Sequence, residues 1–293
     1  MWSVARESSG PLKSRLIPPI FTLGTDCMST SEWVVQSQPS LAITHPSNGA
    51  FGFDDMHQAT CIQSSLLPAG PLADETFEIA FRYSPYLQVG GDFADFFRLP
   101  NGLIAIYVGD VVGKGLPAAL YGALVMGALR GIKKTGASTA AVLGLLNERL
   151  MQRPLPGRFC SALYALFDPV TSQLALSNAG MPFPLLASRS TCQTLGEGGL
   201  PSGVFPHASY DQHTIRLSPG DSVLFASDGL HETRNREGIE FAAAQMAETW
   251  AGCRGKSARE SLDLLFEGLH AFSHGGSCDD DVTVVVLNIP PAS

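Results

Sequence analysis

No pair of cysteines in these 293 residues stands at CxxC spacing; Cys27, Cys61, Cys160, Cys192, Cys253 and Cys278 are scattered. That excludes the usual zinc-site spacing and, at this length, argues against a disulfide framework, so free thiols in a reducing cytoplasm are expected. Runs of lysine or arginine are also missing. With 19 basic against 27 acidic residues the net charge is −8, the wrong sign for general nucleic-acid binding. The opening MWSVARESSGPLKSRLIPPIF has no continuous apolar core of a secretory signal. The most apolar stretch, Leu103–Leu129, is broken by Asp110, Lys114 and Pro117, so no membrane span is expected. A GxSxG elbow is absent, which leaves a Ser-His-Asp hydrolase without its nucleophile and makes His231, beside Asp228 and Glu232, a rim residue. The 45% hydrophobic and 16% charged content is ample for a globular core, in one large domain or two small ones.

Residues 1–50 are rich in Ser, Thr, Pro and Gly without a sustained period and are expected to form a poorly ordered tail, with a short strand around Trp33–Val35. Residues 51–70 form a linker in which Met56, Ala59, Ile62, Leu66 and Leu67 trace one face of a helix stopped before Pro68. Such a helix serves either packing or regulation. From Thr76 the pattern alternates, and Pro100-Asn101-Gly102 between two apolar runs signals a hairpin. Helices are expected at Ala118–Ile132 and Ser138–Met151. Strands are expected at Ser161–Phe167, Gln173–Ser177, Pro184–Ala187, Asp211–Leu217 and Ser222–Ser227. Two further helices, Phe241–Trp250 and Ala258–Phe272, precede a closing β-branched strand, Val282–Ile289. Strands, two helices, strands, two helices and a strand do not make a βαβ alternation. They suit an α+β sandwich of mostly antiparallel strands with helices on both faces.

Four short acidic motifs punctuate this pattern: VGGDFADFF at Val89–Phe97, VGDVVGKGLPAAL at Val108–Leu120, LFASDGLHE at Leu224–Glu232, and CDDDVTVVVL at Cys278–Leu287. Each sets an aspartate at the end of an apolar run. Carboxylates at several strand tips can converge, and converged anions call for a cation, for which hard divalent ions are suited. The second motif is not a phosphate-binding loop: Gly109 to Gly113 is one residue short, and Gly115 stands where Ser or Thr would hold magnesium. The first lacks the second acidic residue of a GGDEF cyclase, having Phe93 instead, and it sits beside a hairpin. Asp279-Asp280-Asp281 leads straight into a valine-rich strand, an awkward place for three carboxylates unless they are solvated or matched by a cation.

In this order and spacing the motifs resemble the SpoIIE/RsbU-type bacterial serine/threonine phosphatases, of the metal-dependent, phosphatase 2C-like superfamily. Ile62–Pro68 looks like the family's linker ending, Ile79–Pro85 like its first core strand, and Ser177-Asn178-Ala179-Gly180 and Gly199–Val204 like two of its later segments. The resemblance runs over roughly residues 56–289 and makes residues 71–290 the phosphatase domain. It implies the family's β-sandwich flanked by helices.

It also implies two Mn²⁺ or Mg²⁺ ions. Asp110 would bridge them, the Val111 carbonyl would serve the second, Asp228 and Asp280 would complete the first, and Asp92 would hold bound waters or bind directly. Whether Asp280 or Asp281 turns inward is left open, and no residue is assigned as the phosphate-binding cation. Ions roughly 3.5–4 Å apart would activate a bridging water for in-line attack on phosphorus. The implied substrate is a phosphoserine or phosphothreonine on a STAS-domain anti-anti-sigma protein, in a pathway that controls a sigma factor by partner switching. The alternative is a catalytically silent phosphatase-like binding module. Met181 stands where the family often has histidine, and residues 1–50 are too short for the sensor domain of many relatives. Control would then come from a partner, from homodimerisation through the Met56–Leu67 helix, or not at all.

Overall fold

The alternation of apolar residues along each strand settles which sheet face is buried against what. A computed structural model describes residues 53–132, 137–188, 191–273 and 279–291, all within Ser31–Ser293. The expected tail and its strand around Trp33–Val35 lie outside the described residues. In chain order the first elements are α1 (Phe53–Leu66), β1 (Leu72–Ala73), β2 (Glu78–Ser84), β3 (Phe93–Arg98) and β4 (Ile104–Val111). Then come α2 (Gly115–Ile132), α3 (Thr139–Gln152), β5 (Cys160–Asp168), β6 (Gln173–Ala179), β7 (Leu185–Ser188) and β8 (Thr191–Thr194). The remainder is β9 (His213–Arg216), β10 (Ser222–Ala226), α4 (Asp228–Glu232), α5 (Phe241–Ala244), α6 (Met246–Ala251), α7 (Ala258–Ser273) and β11 (Val282–Asn288).

Two antiparallel sheets result, one six-stranded in the order β1-β2-β11-β10-β7-β8 and one five-stranded in the order β3-β4-β5-β6-β9. Their facing sides share a core. Ile79, Phe81, Phe225, Val285 and Leu287 from the first sheet meet Phe96, Ile106, Val108, Leu163 and Phe167 from the second. Residues of the opposite parity point outward. Tyr107, Val111, Ala162 and Tyr164 pack beneath α2 and α3. Leu224, Val284 and Val286 pack beneath α6 and α7, where Trp250 donates its indole N–H to the Leu185 carbonyl. The molecule is thus helices, sheet, sheet, helices, the expected α+β sandwich.

Local chemistry explains the ends of these elements. Asn101-Gly102 closes the β3–β4 hairpin, with Gly102 N–H donating to the Leu99 carbonyl. Ser138 caps α3 by accepting from Ala141 N–H at 3.3 Å. The single helix expected over Phe241–Trp250 is instead two, broken at Gln245, whose backbone leaves the helical region at φ −152°. A periodicity of apolar residues persists across such a break, which is why the sequence conceals it. The helix α2 is long and apolar enough to cross a membrane by length and composition alone. One of its faces, with Ala118, Val125, Met126 and Leu129, is buried against the five-stranded sheet, as in a core helix. Of the cysteines, Cys160 and Cys253 are buried and Cys61 and Cys192 partly so, all four as free thiols.

Candidate metal centre

Parity places the aspartates. In β4, Ile104, Ile106 and Val108 face the other sheet, and Asp110 continues that series at the strand's end. In β3, Ala94 and Phe96 face the same way, so Asp92, just before the strand, points into the same cleft. It lies one step beyond the Phe93–Gly109 pair of the β3–β4 ladder. From the six-stranded sheet, β10 ends at Ala226 and Asp228 opens α4. The neighbouring strand β11 is preceded by Asp280 and Asp281. The junction of these two strands is tied by Ser227, whose N–H donates to the Thr283 carbonyl and whose Oγ accepts Thr283 N–H, both at 2.9 Å.

The five carboxylates feel one another. Burial, then Asp228 and Asp280, pushes the Asp110 carboxyl up to about 7, with the Val111 amide opposing and Asp281 adding. Asp92, 2% exposed, is raised well above the usual carboxylate range by burial, Asp110 and Asp281, partly offset by the Ser227 and Thr283 hydroxyls. Its Oδ2 is buried without a hydrogen-bond partner among the described residues. Asp228 is raised by burial and by Asp280, and His231, one turn on, pulls the other way. The His231 ring lies 3.1 Å from the Ser227 carbonyl, and burial lowers its pKa.

Asp280 and Asp281 part company here. Asp281 is buried, and its two oxygens accept the N–H groups of Tyr86 at 2.8 Å and Gly91 at 2.7 Å. Asp280 lies nearer the surface, with Oδ2 3.0 Å from Lys114 Nζ. The loop before Asp92 is also gripped from α1. Gln63 Nε2 donates to the Gly90 carbonyl at 2.7 Å, and Gln63 Oε1 accepts Gly90 N–H at 3.1 Å. Gly91 has to be glycine, since a Cβ there would stand 2.7 Å from the Val111 carbonyl oxygen and 3.1 Å from Asp110 Oδ1. Met181 is buried in the core between the sheets, its backbone held by both ends of the Asn178 amide. The departure from the family's histidine therefore falls in packing.

Among the described residues, no three acidic, histidine or cysteine side chains stand together at metal-ligand spacing. The donor set still fits hard divalent cations: it consists of carboxylate and carbonyl oxygens, and it includes an Asp92 oxygen buried with no hydrogen-bond partner among the described residues and a Val111 carbonyl that a Cβ on Gly91 would crowd.

Comparison with known proteins decides the lineage. Residues 100–290 match the family model described as Stage II sporulation protein E (SpoIIE). The chain belongs to the SpoIIE family. It is 28% identical over 232 residues to the phosphoserine phosphatase RsbU of Bacillus subtilis, covering 78% of this chain and 68% of RsbU. It is 23% identical over 261 residues to protein IcfG of Synechocystis, covering 80% of this chain but only 41% of IcfG. The SiaA-PP2C domain of Pseudomonas aeruginosa superposes with a TM-score of 0.71 at 22% identity, over 80% of this chain and 96% of that domain, which establishes the common fold.

The sequence missed Gln63, Lys114 and the brace made by Asp281. Only Lys114 left a signal, as the cation within the second acidic motif.

Proposed function

We propose that the protein is a metal-dependent phosphoprotein phosphatase acting on a phosphoserine or phosphothreonine of a STAS-domain anti-anti-sigma partner. The observation that carries this is that strand-end aspartates from two sheets come close enough to raise one another's pKa, around an Asp92 Oδ2 buried with no hydrogen-bond partner among the described residues. Asp92, Asp110, Asp228, Asp280 and the Val111 carbonyl would hold two Mn²⁺ or Mg²⁺ ions, with Asp110 central because it feels both Asp228 and Asp280. Bound there, such ions would neutralise phosphoryl charge and acidify a water. Asp281 is better suited to bracing the Tyr86–Gly91 loop, since both its oxygens are engaged by amides. Cys160, paired with Val111 across the ladder, supplies no thiolate, because burial and Asp110 push its thiol far up.

The partner and the sigma-factor pathway are supported by the family and by the similarity to RsbU. A cytoplasmic site of action is part of the same proposal, and so is homodimerisation through α1, whose Ile62 is 63% exposed. A strictly monomeric protein in sedimentation experiments would remove the dimer.

The test is hydrolysis of para-nitrophenyl phosphate, and of a phosphorylated STAS protein, with Mn²⁺, Mg²⁺ or EDTA, beside Asp228→Asn. Turnover that needs a divalent ion and disappears in the variant is expected. Turnover indifferent to EDTA, or undiminished in Asp228→Asn, would sink the assignment. A silent binding module is favoured by one observation, the Lys114 ammonium resting on Asp280. Calorimetry showing no Mn²⁺ uptake at millimolar concentration would select it.

A further inference from the structure

Lys114 is held in an unusual place for a surface cation. The chain leaves β4 through Gly113 and Gly115, with φ of +100° and +68°, a conformation that glycine adopts without strain. The turn swings Lys114 back across the mouth of the acidic cluster. Its Nζ lies 3.0 Å from Asp280 Oδ2, donates to the Asp279 carbonyl, and sits 5.1 Å from the centre of the Tyr86 ring. Tyr86 in turn donates its amide N–H to Asp281. Among the described residues, Lys114 is the cation that an ion pair places on this cluster. Arg158 borders the same turn, but its Nη1 is committed to the Val112 carbonyl at 2.8 Å.

An ion pair whose two side chains are 46% and 45% exposed adds little to stability. Stability is therefore a poor reason for the pair. We propose that Lys114 is the phosphate-binding cation of the site, held in reserve by Asp280 and released to the substrate phosphoryl group when a divalent ion takes that carboxylate. The inference rests on the phosphatase assignment above. A carboxylate cannot serve an ammonium and a divalent ion at full strength, so ion binding at Asp280 would take from Lys114 its one charged partner and leave it the Asp279 carbonyl and the Tyr86 face. The Tyr86 face keeps the ammonium at the mouth by cation–π attraction. A lysine suits the task, being a compact charge with three rotatable donors on a flexible stem.

The experiment uses the full chain, with Lys114→Gln and Lys114→Arg, and two calorimetric titrations: Mn²⁺ into ion-free protein, then inorganic phosphate into Mn²⁺-loaded protein. Circular dichroism checks that the variants fold. In Lys114→Gln, phosphate binding should weaken about tenfold, equivalent to about 1.4 kcal/mol. Mn²⁺ affinity should hold or tighten, because a competitor for Asp280 is gone. Lys114→Arg should keep most of the phosphate affinity. Unchanged phosphate binding in Lys114→Gln overturns the proposal. So does a loss of Mn²⁺ affinity large enough to explain the phosphate loss, which would make Lys114 a prop for Asp280. Neither titration needs turnover, so a wild-type protein that binds both ligands yet hydrolyses nothing refutes only the phosphatase assignment. A wild-type protein that binds neither refutes both.

Discussion

Asp92 and Asp95 belong to one motif, three residues apart, and live in opposite electrostatic worlds. Asp95 points toward the helices. Its Oδ2 receives Arg130 Nε at 3.0 Å and Nη2 at 2.8 Å, with Tyr107 O–H at 3.2 Å. Arg130 also donates to the Leu66 carbonyl at the end of α1, so the network staples α1, α2, β3 and β4 together. Asp92 points between the sheets and meets Asp110 and Asp281, carboxylates all. Asp95 is folded together with its own cation, whereas Asp92 is folded among other carboxylates, the setting in which the proposed function places a cation from outside. The odd parity of their spacing sends Asp95, within β3, and Asp92, just before it, to opposite sides of the sheet.

The largest effect should come from breaking the functional side. If the proposed metal centre is right, Asp110→Asn or Asp228→Asn should cut metal-dependent turnover by about a hundredfold or more, since several kcal/mol of charge stabilisation would depend on the ions. Their circular dichroism should match that of the parent. Next comes the structural side. Arg130→Met leaves Asp95 without its guanidinium in a buried setting and should cost about 3 kcal/mol in denaturant unfolding. Turnover per folded molecule should survive it, and a variant equally stable to the parent would collapse the contrast.

A smaller effect concerns pH. In EDTA, Asp110 has its carboxyl raised to about 7 from 3.8, so between those values the folded protein holds a proton that the unfolded chain has released. Stability therefore falls as pH rises through that window, and Asp92, Asp228 and Asp281 push the same way. Asp110→Asn should melt above the parent, with a gap that opens near pH 4, widens to about pH 7 and is then flat. Mn²⁺ should abolish the advantage. The smallest effect sharpens the structural side alone. Gly127→Ala, on an exposed position of α2 with nothing within 4 Å of an added Cβ, should stabilise the helix that carries Arg130 by up to about 1 kcal/mol.

The sandwich and four strand-end aspartates were legible because each motif couples a local apolar run to the carboxylate that ends it. Period-2 alternation fixes the face, and the face fixes where Asp92 and Asp110 point. The difference between Asp280 and Asp281 was not legible, since it depends on amides at Tyr86 and Gly91, about 190 residues earlier in the chain. Gln63 is equally invisible: its helix could be read from spacing, but its grip on Gly90 is a tertiary contact between two polar groups. Arg130 looked like any basic residue in a helix's last turn. Gln245 breaks a helix by its backbone angle, for which glutamine gives no warning.

The strand β11 lies between β2 and β10, the central position of its half-sheet, although it is the last element described. During synthesis, β2 emerges some 200 residues before the strand it must pair with, and β10 waits some 60 residues for the same neighbour. Both must persist without their ladder partner, as exposed edges open to aggregation, until β11 is delivered. Asp280 and Asp281 arrive with that strand. Until that strand has emerged, the acidic cluster lacks two of its five carboxylates.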